Sequence, residues 1–363
     1  MSVMESRAVL GMFSAIAPGM TWMINSLIPG RNAAVMRTES ANKCKIMMLV
    51  NGLSSYIDET NSRPLQQMVD QCYSLGSFPA LWAVEGLGKD LSEWHRLRNP
   101  NPRGILSNAE LDPKSRGAWL MLHAGIGMGF ARQPILDLPS NAPPAQIGDF
   151  ALRFLELCRA NSRPGYAGAA IESLGLVSRF MKNAEFCATV HRELTRSAPD
   201  ALGYFWRGVG RCLYFHPENF MPAFGARIYR ALDMADAEAP SPELKQTLYS
   251  GMAWALTVVN MMSPEVMEYV LANLSDGYAG SPGFVNGITA ATVMRYDTTP
   301  GEPLIREFLN HRCTDPKLDA LWAEKVRASC EFAINNVHPA LDRHQRLEEV
   351  FRYQSLPGLI ANL

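Results

Sequence analysis

The chain has almost no net charge: 34 Lys and Arg against 35 Asp and Glu leave −1. Without a basic stripe it lacks the electrostatic footprint that nucleic acid requires, and no block of like charge marks an interaction tail. Close cysteine pairs are missing as well. The seven cysteines, at 44, 72, 158, 187, 212, 313 and 330, form no C-x-x-C pair, which argues against a zinc cluster or a disulfide framework and for a reducing, cytoplasmic compartment. There is no P-loop, no dinucleotide fingerprint in a βαβ context, no G-x-S-x-G elbow, no H-E-x-x-H and no aspartate-rich magnesium cluster. Gly125-Ile126-Gly127-Met128-Gly129 is rich in glycine but sits in a helical pattern that offers no phosphate cradle. No cofactor and no metal are therefore expected. One uncharged run, residues 8–30, superficially resembles a targeting or membrane segment. Gly11, Pro18-Gly19, Asn25 and Pro29-Gly30 interrupt it, so it reads as a buried helix–turn–helix.

Sustained β alternation is also absent. What is present is helical periodicity. Of 363 residues, 47% are hydrophobic and 19% charged, enough apolar material for a large core in one large or two ordinary domains. The 19 methionines suit gap-filling within such a core. Stretches such as 149–160 and 184–197 carry one apolar stripe, whereas 167–181, 204–215, 243–262 and 284–296 are apolar nearly all round. The first kind covers and the second is covered. Residues 3–28 read as two short apolar helices broken at Pro18-Gly19, 31–42 as a polar connection, 98–116 and 133–146, with their prolines, as long loops, and 318–335 and 343–353 as the helices that close the chain.

Six of the apolar helices share a pattern: a bulky residue, any residue, Gly, an apolar residue, then usually a small one. The leading glycines are Gly86, Gly125, Gly168, Gly208, Gly251 and Gly287, spaced by 39, 43, 40, 43 and 36; Gly52 opens a weaker copy. Intervals of about 40 residues fit one helical hairpin per repeat. The expected fold is all-α, with helical-hairpin repeats forming either a curved solenoid or a closed α/α toroid of inner and outer helices. The closed or strongly curved form is favoured because the marked helices are too apolar for a solvent-facing groove. Residues 1–78 would form an N-terminal helical segment packed on a repeat domain of residues 79–363, together one continuous domain.

Charged residues inside apolar helices carry what chemistry the sequence offers. The residue before the leading glycine is small or uncharged except at Glu85 and Arg207, and Arg211 stands three after Gly208. Arg207 and Arg211, four apart, share a helix face. A buried charge needs partners, so Glu85 or Glu172 should pair with Arg207 or Arg211 across the core. In a functional reading these groups face a cavity. His123, Glu85 and Arg211 would be catalytic, with His123 as a proton shuttle and a carboxylate as acid or base. Arg207, Glu172, Trp206, Tyr204, Tyr166, Trp82, Trp254, Gly125, Gly208 and Gly210 would contact substrate. Read structurally, the same residues are satisfied salt bridges between repeats and ordinary core aromatics.

Val84-Glu85-Gly86, His123-Ala124-Gly125-Ile126-Gly127, the run Gly208-Val209-Gly210-Arg211-Cys212-Leu213-Tyr214-Phe215 and Tyr249-Ser250-Gly251-Met252-Ala253 resemble, in order, the landmarks of a bacterial family of unknown function. Its members occur beside enediyne and other polyketide biosynthesis genes. The resemblance spans roughly residues 80–260 and departs at Tyr249 and at Met252-Ala253, where Trp and a second Gly are expected. It implies work alongside a polyketide or polyene pathway, points to Glu85, His123, Gly125, Gly208, Gly210 and Arg211, and supplies no reaction. Two expectations follow. In the first, the protein is a cofactor-independent tailoring protein of bacterial secondary metabolism that cyclises, isomerises or binds an apolar polyketide-like substrate in a helical cavity. In the second, it is a non-catalytic scaffold for a biosynthetic partner such as a polyketide synthase or carrier protein. Neither involves nucleic acid or a membrane.

Overall fold

The computed structural model describes residues 31–52, 63–139, 141–220 and 227–363. The helix pair expected at 3–28 lies outside them. Among the described residues the chain is all-α, without a strand. In order the helices are α1 (Arg31–Gly52), α2 (Leu65–Ser74), α3 (Ser77–Arg98), α4 (Ala118–Asp137), α5 (Pro144–Asn161), α6 (Ala167–Met181), α7 (Ala184–Ser197), α8 (Leu202–Phe215), α9 (Pro217–Phe220), α10 (Arg227–Glu238), α11 (Pro242–Asn260), α12 (Pro264–Leu274), α13 (Pro282–Thr298) and α14 (Pro303–Leu309). A nearly continuous helical run follows. It comprises α15 (Pro316–Leu321), α16 (Ala328–Phe332) and α17 (His338–Arg343), joined by π-turns at Trp322–Arg327 and Ala333–Val337. A 3₁₀ turn at Leu347–Phe351 and α18 (Leu356–Ala361) close the chain.

Several helix starts are written in the sequence. Ser241 and Ser281 each precede a proline at the first helical position, and their side chains accept from the backbone N–H of Leu244 and Phe284. A hydroxyl cap followed by proline satisfies otherwise orphaned amides and presets φ.

Three expectations are corrected. Residues 31–42 are helical, not a connection: alanines and an i,i+4 pair of Glu39 with Lys43 at 3.1 Å support helix in a polar stretch. The second long loop is shorter than expected, because α4 runs through Pro134 to Asp137. Proline there cannot bond the Phe130 carbonyl; Arg96 Nη1 donates to that oxygen instead, at 3.4 Å, which offsets the lost helical bond. Finally, residues 343–353, expected as a helix, fold as a turn and the Leu347–Phe351 3₁₀ segment.

Burial divides the helices into two kinds. In α8 every residue from Tyr204 to Phe215 is buried, and in α11 every residue from Thr247 to Asn260. In α7 only Cys187, Thr189, Val190 and Leu194 are buried. The deeply buried helices pack in succession: α3 on α4, α4 on α6, α6 on α8, α8 on α11, α11 on α13. The last, α13, also meets α4, and its Arg295 donates to the Phe78 carbonyl of α3 at 3.4 Å.

Close approach between these helices depends on glycine. A Cβ at Gly125 would lie 2.0 Å from the Glu85 carbonyl oxygen, and one at Gly208 would lie 2.0 Å from that of Glu172. At these points backbone rests on backbone, where no side chain fits. No helix among the described residues is long and apolar enough to cross a membrane.

Candidate functional site

Four ionisable side chains meet in the middle of the buried helices. Glu172, on α6, holds two guanidiniums of α8: Oε1 accepts from Arg207 Nη1 at 3.4 Å and Oε2 from Arg211 Nη1 at 3.2 Å. Arg211 Nη2 also donates to Glu85 Oε1 of α3. Arg211 thus bridges two carboxylates from two helices, as the four-residue spacing of Arg207 and Arg211 foretold for one shared face. The formal charges cancel, which lets the cluster sit where Glu85, Glu172 and Arg207 are fully buried and Arg211 is 3% exposed. Trp254 lies beneath both guanidiniums, 4.6 Å from Arg211 and 5.4 Å from Arg207, and meets Trp82 edge-on at 6.5 Å. The ring faces supply negative quadrupole to cations that have lost water.

The glycines hold this arrangement in place. Gly125 abuts the Glu85 carbonyl, Gly208 that of Glu172 and Gly251 that of Arg207. The residues that bear the charges are therefore the ones whose backbones are clamped by the neighbouring helix.

Burial and pairing act against each other on the ionisation of the cluster. Desolvation raises the Glu172 pKa despite Arg211 and Arg207, and lowers that of Arg207 to about 10 although Glu172 opposes it. Burial also works against the charge of Arg211, but Glu85 and Glu172 together hold its pKa above the ordinary value. Arg211, with two carboxylate partners, is better compensated than Arg207, which has one.

At one end of the cluster lies a pocket of about 250 Å³. Its walls include Ile46 and Val50 of α1, Trp82 of α3, Val177 and Met181 of α6 and Phe215 of α8, and its polar lining includes Glu85, Lys89 and Arg211. The residues from α4, α6 and α8 come from the C-terminal halves of those helices, where the macrodipole favours cations. Glu85 Oε2 and Arg211 Nε, both buried, have no hydrogen-bond partner among the described residues, nor has Trp82 Nε1. Unpaired buried polar atoms beside an apolar space are what a hydrogen-bonding ligand group would satisfy.

The opposite end is filled by the chain's own C-terminal segment. Glu348 Oε2 accepts from the Gly168 N–H at 2.8 Å, placing a carboxylate at the N-terminus of α6. The Gln354 carbonyl accepts from Asn286 at 2.9 Å, and the Phe351 ring centroid lies 5.3 Å from the Arg207 guanidinium.

The sequence-selected residues divide accordingly. Glu85, Glu172, Arg207, Arg211, Trp82 and Trp254 converge, with Gly125 and Gly208 behind them; Gly210 serves a different contact, against Leu248. His123 does not converge with Glu85 and Arg211, and the shuttle expected of it is corrected. Its Nδ1–H donates to the Trp119 carbonyl at 2.6 Å, and its Nε2 accepts from the Arg163 N–H at 3.0 Å. Burial lowers its pKa to about 3, so both nitrogens are committed in the neutral ring. Tyr166 stacks on His123 at 5.0 Å. Tyr204 lies against Gly168, and Trp206 Nε1 donates to His191 Nδ1 at 3.1 Å. These three aromatics pack outside the charge cluster.

Sequence reasoning missed Lys89, although it occupies the position three after Gly86 that Arg211 occupies after Gly208. Its Nζ lies 3.3 Å from both Asp90 Oδ1 and Asn51 Oδ1. Phe351 and Glu348 carried no local signal, being far along the chain from their partners. No family model, curated protein or solved structure matches the chain.

Proposed function

We propose that the protein binds an apolar small molecule carrying one hydrogen-bonding group, in the pocket over the Glu85–Arg211 pair, and that it acts on or carries such a molecule in bacterial secondary metabolism. The carrying observation is the combination, in one space of about 250 Å³, of apolar walls and a buried carboxylate oxygen without a hydrogen-bond partner among the described residues. The cluster is charge-balanced, so a neutral hydroxyl or N–H donor suits it better than an added ion. The motif resemblance gives the direction of the ligand class, a polyketide- or polyene-like skeleton. His123 has no part in this reading, which makes Glu85 and Arg211 the residues that orient the ligand.

The same reading makes α3, α4, α6, α8, α11 and α13 the inner members of helical-hairpin repeats of about 40 residues, curved until the array closes. Its support is the repeated contact of a leading glycine with the preceding unit: Gly125 on Glu85, Gly251 on Arg207 and Gly287 on Ser250. The return contact of Arg295 with Phe78 adds to it.

A fluorescent apolar amine, N-phenyl-1-naphthylamine, tests the reading. Its emission should rise saturably on titration with the protein, and Val177→Trp, which fills the pocket, should abolish the rise while leaving the helical content unchanged. Absence of saturable binding, or equal binding by the filled variant, would refute it.

A further inference from the structure

Away from the pocket, and sharing no residue with it, a glutamate, a histidine and a cysteine come together around the link after α14. Glu268 lies on α12; His311 and Cys313 lie between α14 and α15. One donor atom from each lies within 4.8 Å of the other two. His311 Nε2 and Glu268 Oε1 are 2.5 Å apart, and the Cys313 sulfur is the third donor of the group. We propose that these three side chains form a binding site for a zinc-like divalent transition metal.

Four observations carry this. The donor set is one thiol, one imidazole and one carboxylate, the ligand types that zinc takes. As thiolate, neutral imidazole and carboxylate they supply two negative charges, which balance a divalent ion. Bonds of about 2.0–2.3 Å at tetrahedral angles place ligand atoms roughly 3.3–3.8 Å apart; the donor atoms, all within 4.8 Å of one another, take up that geometry once His311 Nε2 and Glu268 Oε1 part, the sulfur settles into the same range and the thiol gives up its proton. Access is suitable, because the side chains of Glu268 and His311 are 26% and 25% exposed, so an ion can enter and a water can hold a fourth position.

The surroundings hold the ligand-bearing segment in place. The Cys313 N–H donates to Asp319 Oδ1 at 3.1 Å. Arg327 Nε donates to the Leu309 carbonyl at 3.0 Å and Nη2 to that of His311 at 3.4 Å. The Trp322 ring meets His311 edge-on at 4.8 Å. Trp322 and Arg327 are the first and last residues of a π-turn, a costly helical distortion that recurs at functional sites. Outer contacts of this kind orient metal ligands and keep their geometry. The sequence concealed the site: His311-x-Cys313 alone has no metal spacing, and Glu268 stands 43 residues before His311.

The test is zinc titration of the full chain after removal of metal by a chelator, with bound metal measured by mass spectrometry and cobalt substitution as a spectroscopic check. The expected result is one zinc per chain, lost on Cys313→Ser and weakened at least about tenfold in His311→Ala and in the near-isosteric Glu268→Gln. Asp319→Asn, which touches no metal, should weaken it about tenfold through the Cys313 backbone. The cobalt form should show a thiolate-to-metal charge-transfer band that Cys313→Ser removes. Circular dichroism of each variant separates loss of ligand from loss of fold. No zinc retained by the wild-type chain, or zinc retained with equal affinity by folded Cys313→Ser and His311→Ala, would overturn the proposal.

Discussion

Replacing Gly208 with alanine tests whether the charge cluster is held by direct contact between helix backbones. The new Cβ would lie 2.0 Å from the Glu172 carbonyl oxygen and 2.9 Å from the Leu176 nitrogen. Both are backbone atoms of α6, so no side chain can swing away, and α6 and α8 must separate by about 1 Å. Overpacking of that kind costs about 3 kcal/mol or more at its upper end. Alanine returns about 1 kcal/mol of helix propensity, leaving a net loss of about 2 kcal/mol. For a chain of this length the entropy of unfolding is of order 0.8 kcal/mol/K, so Tm falls by roughly 3 °C. Gly277→Ala provides the control. No atom of the described residues lies within 4 Å of its added methyl, and the stiffer unfolded chain should raise stability by about 0.4–1 kcal/mol. The two substitutions, chemically identical, should shift urea and thermal midpoints in opposite directions. A Gly208→Ala protein as stable as the wild type would show that the helices are not in the contact described.

The remaining predictions concern charge and the pocket. Arg211→Met removes both Glu85's partner and one of Glu172's, and should cost about 3–5 kcal/mol by denaturant titration; adding Glu85→Gln should recover part of this, and strictly additive losses would contradict the bridge. His123 titrates at about 3 in the fold against an ordinary 6.5, so its contribution is complete above pH 6.5 and is lost as pH falls toward 3, by up to about 1.4 kcal/mol per pH unit; stability of His123→Asn should fall less steeply than wild type over that range. Asp90 runs the other way: burial raises its pKa from 3.8 to about 6, so its contribution is present below pH 3.8 and lost as pH rises toward 6. Asp90→Asn should therefore lose less stability than wild type between those pH values, measured by the same titrations.

Much of the fold could be read because helical periodicity and glycine are local signals. The bounds of 167–181 and 184–197 are those of α6 and α7, since loops with Gly165, Asn183 and Pro199 punctuate them. Pro134 misled because its missing bond is compensated by Arg96, a residue 38 positions earlier. The charge cluster was legible for a physical reason: ionised side chains at otherwise apolar repeat positions must find one another. His123 stood in equally apolar surroundings, yet its needs are met by two backbone groups, Trp119 and Arg163; sequence cannot distinguish a histidine satisfied by backbone from one awaiting a substrate. The pocket wall from α1 and the C-terminal plug were invisible, because both depend on where distant segments pack.

The claim on which the functional account rests is that Glu85 serves as the pocket's hydrogen-bond acceptor. The most direct measurement is displacement of bound N-phenyl-1-naphthylamine by 1-decanol and by its methyl ether, matched molecules that differ in one O–H donor, using wild type and Glu85→Gln. A hydrogen bond to a charged group is worth about 1.5–3 kcal/mol, so the wild type should prefer the alcohol by about tenfold or more, and Glu85→Gln should lose most of that preference. Equal displacement by the two compounds, or a preference unchanged in Glu85→Gln, would contradict the account.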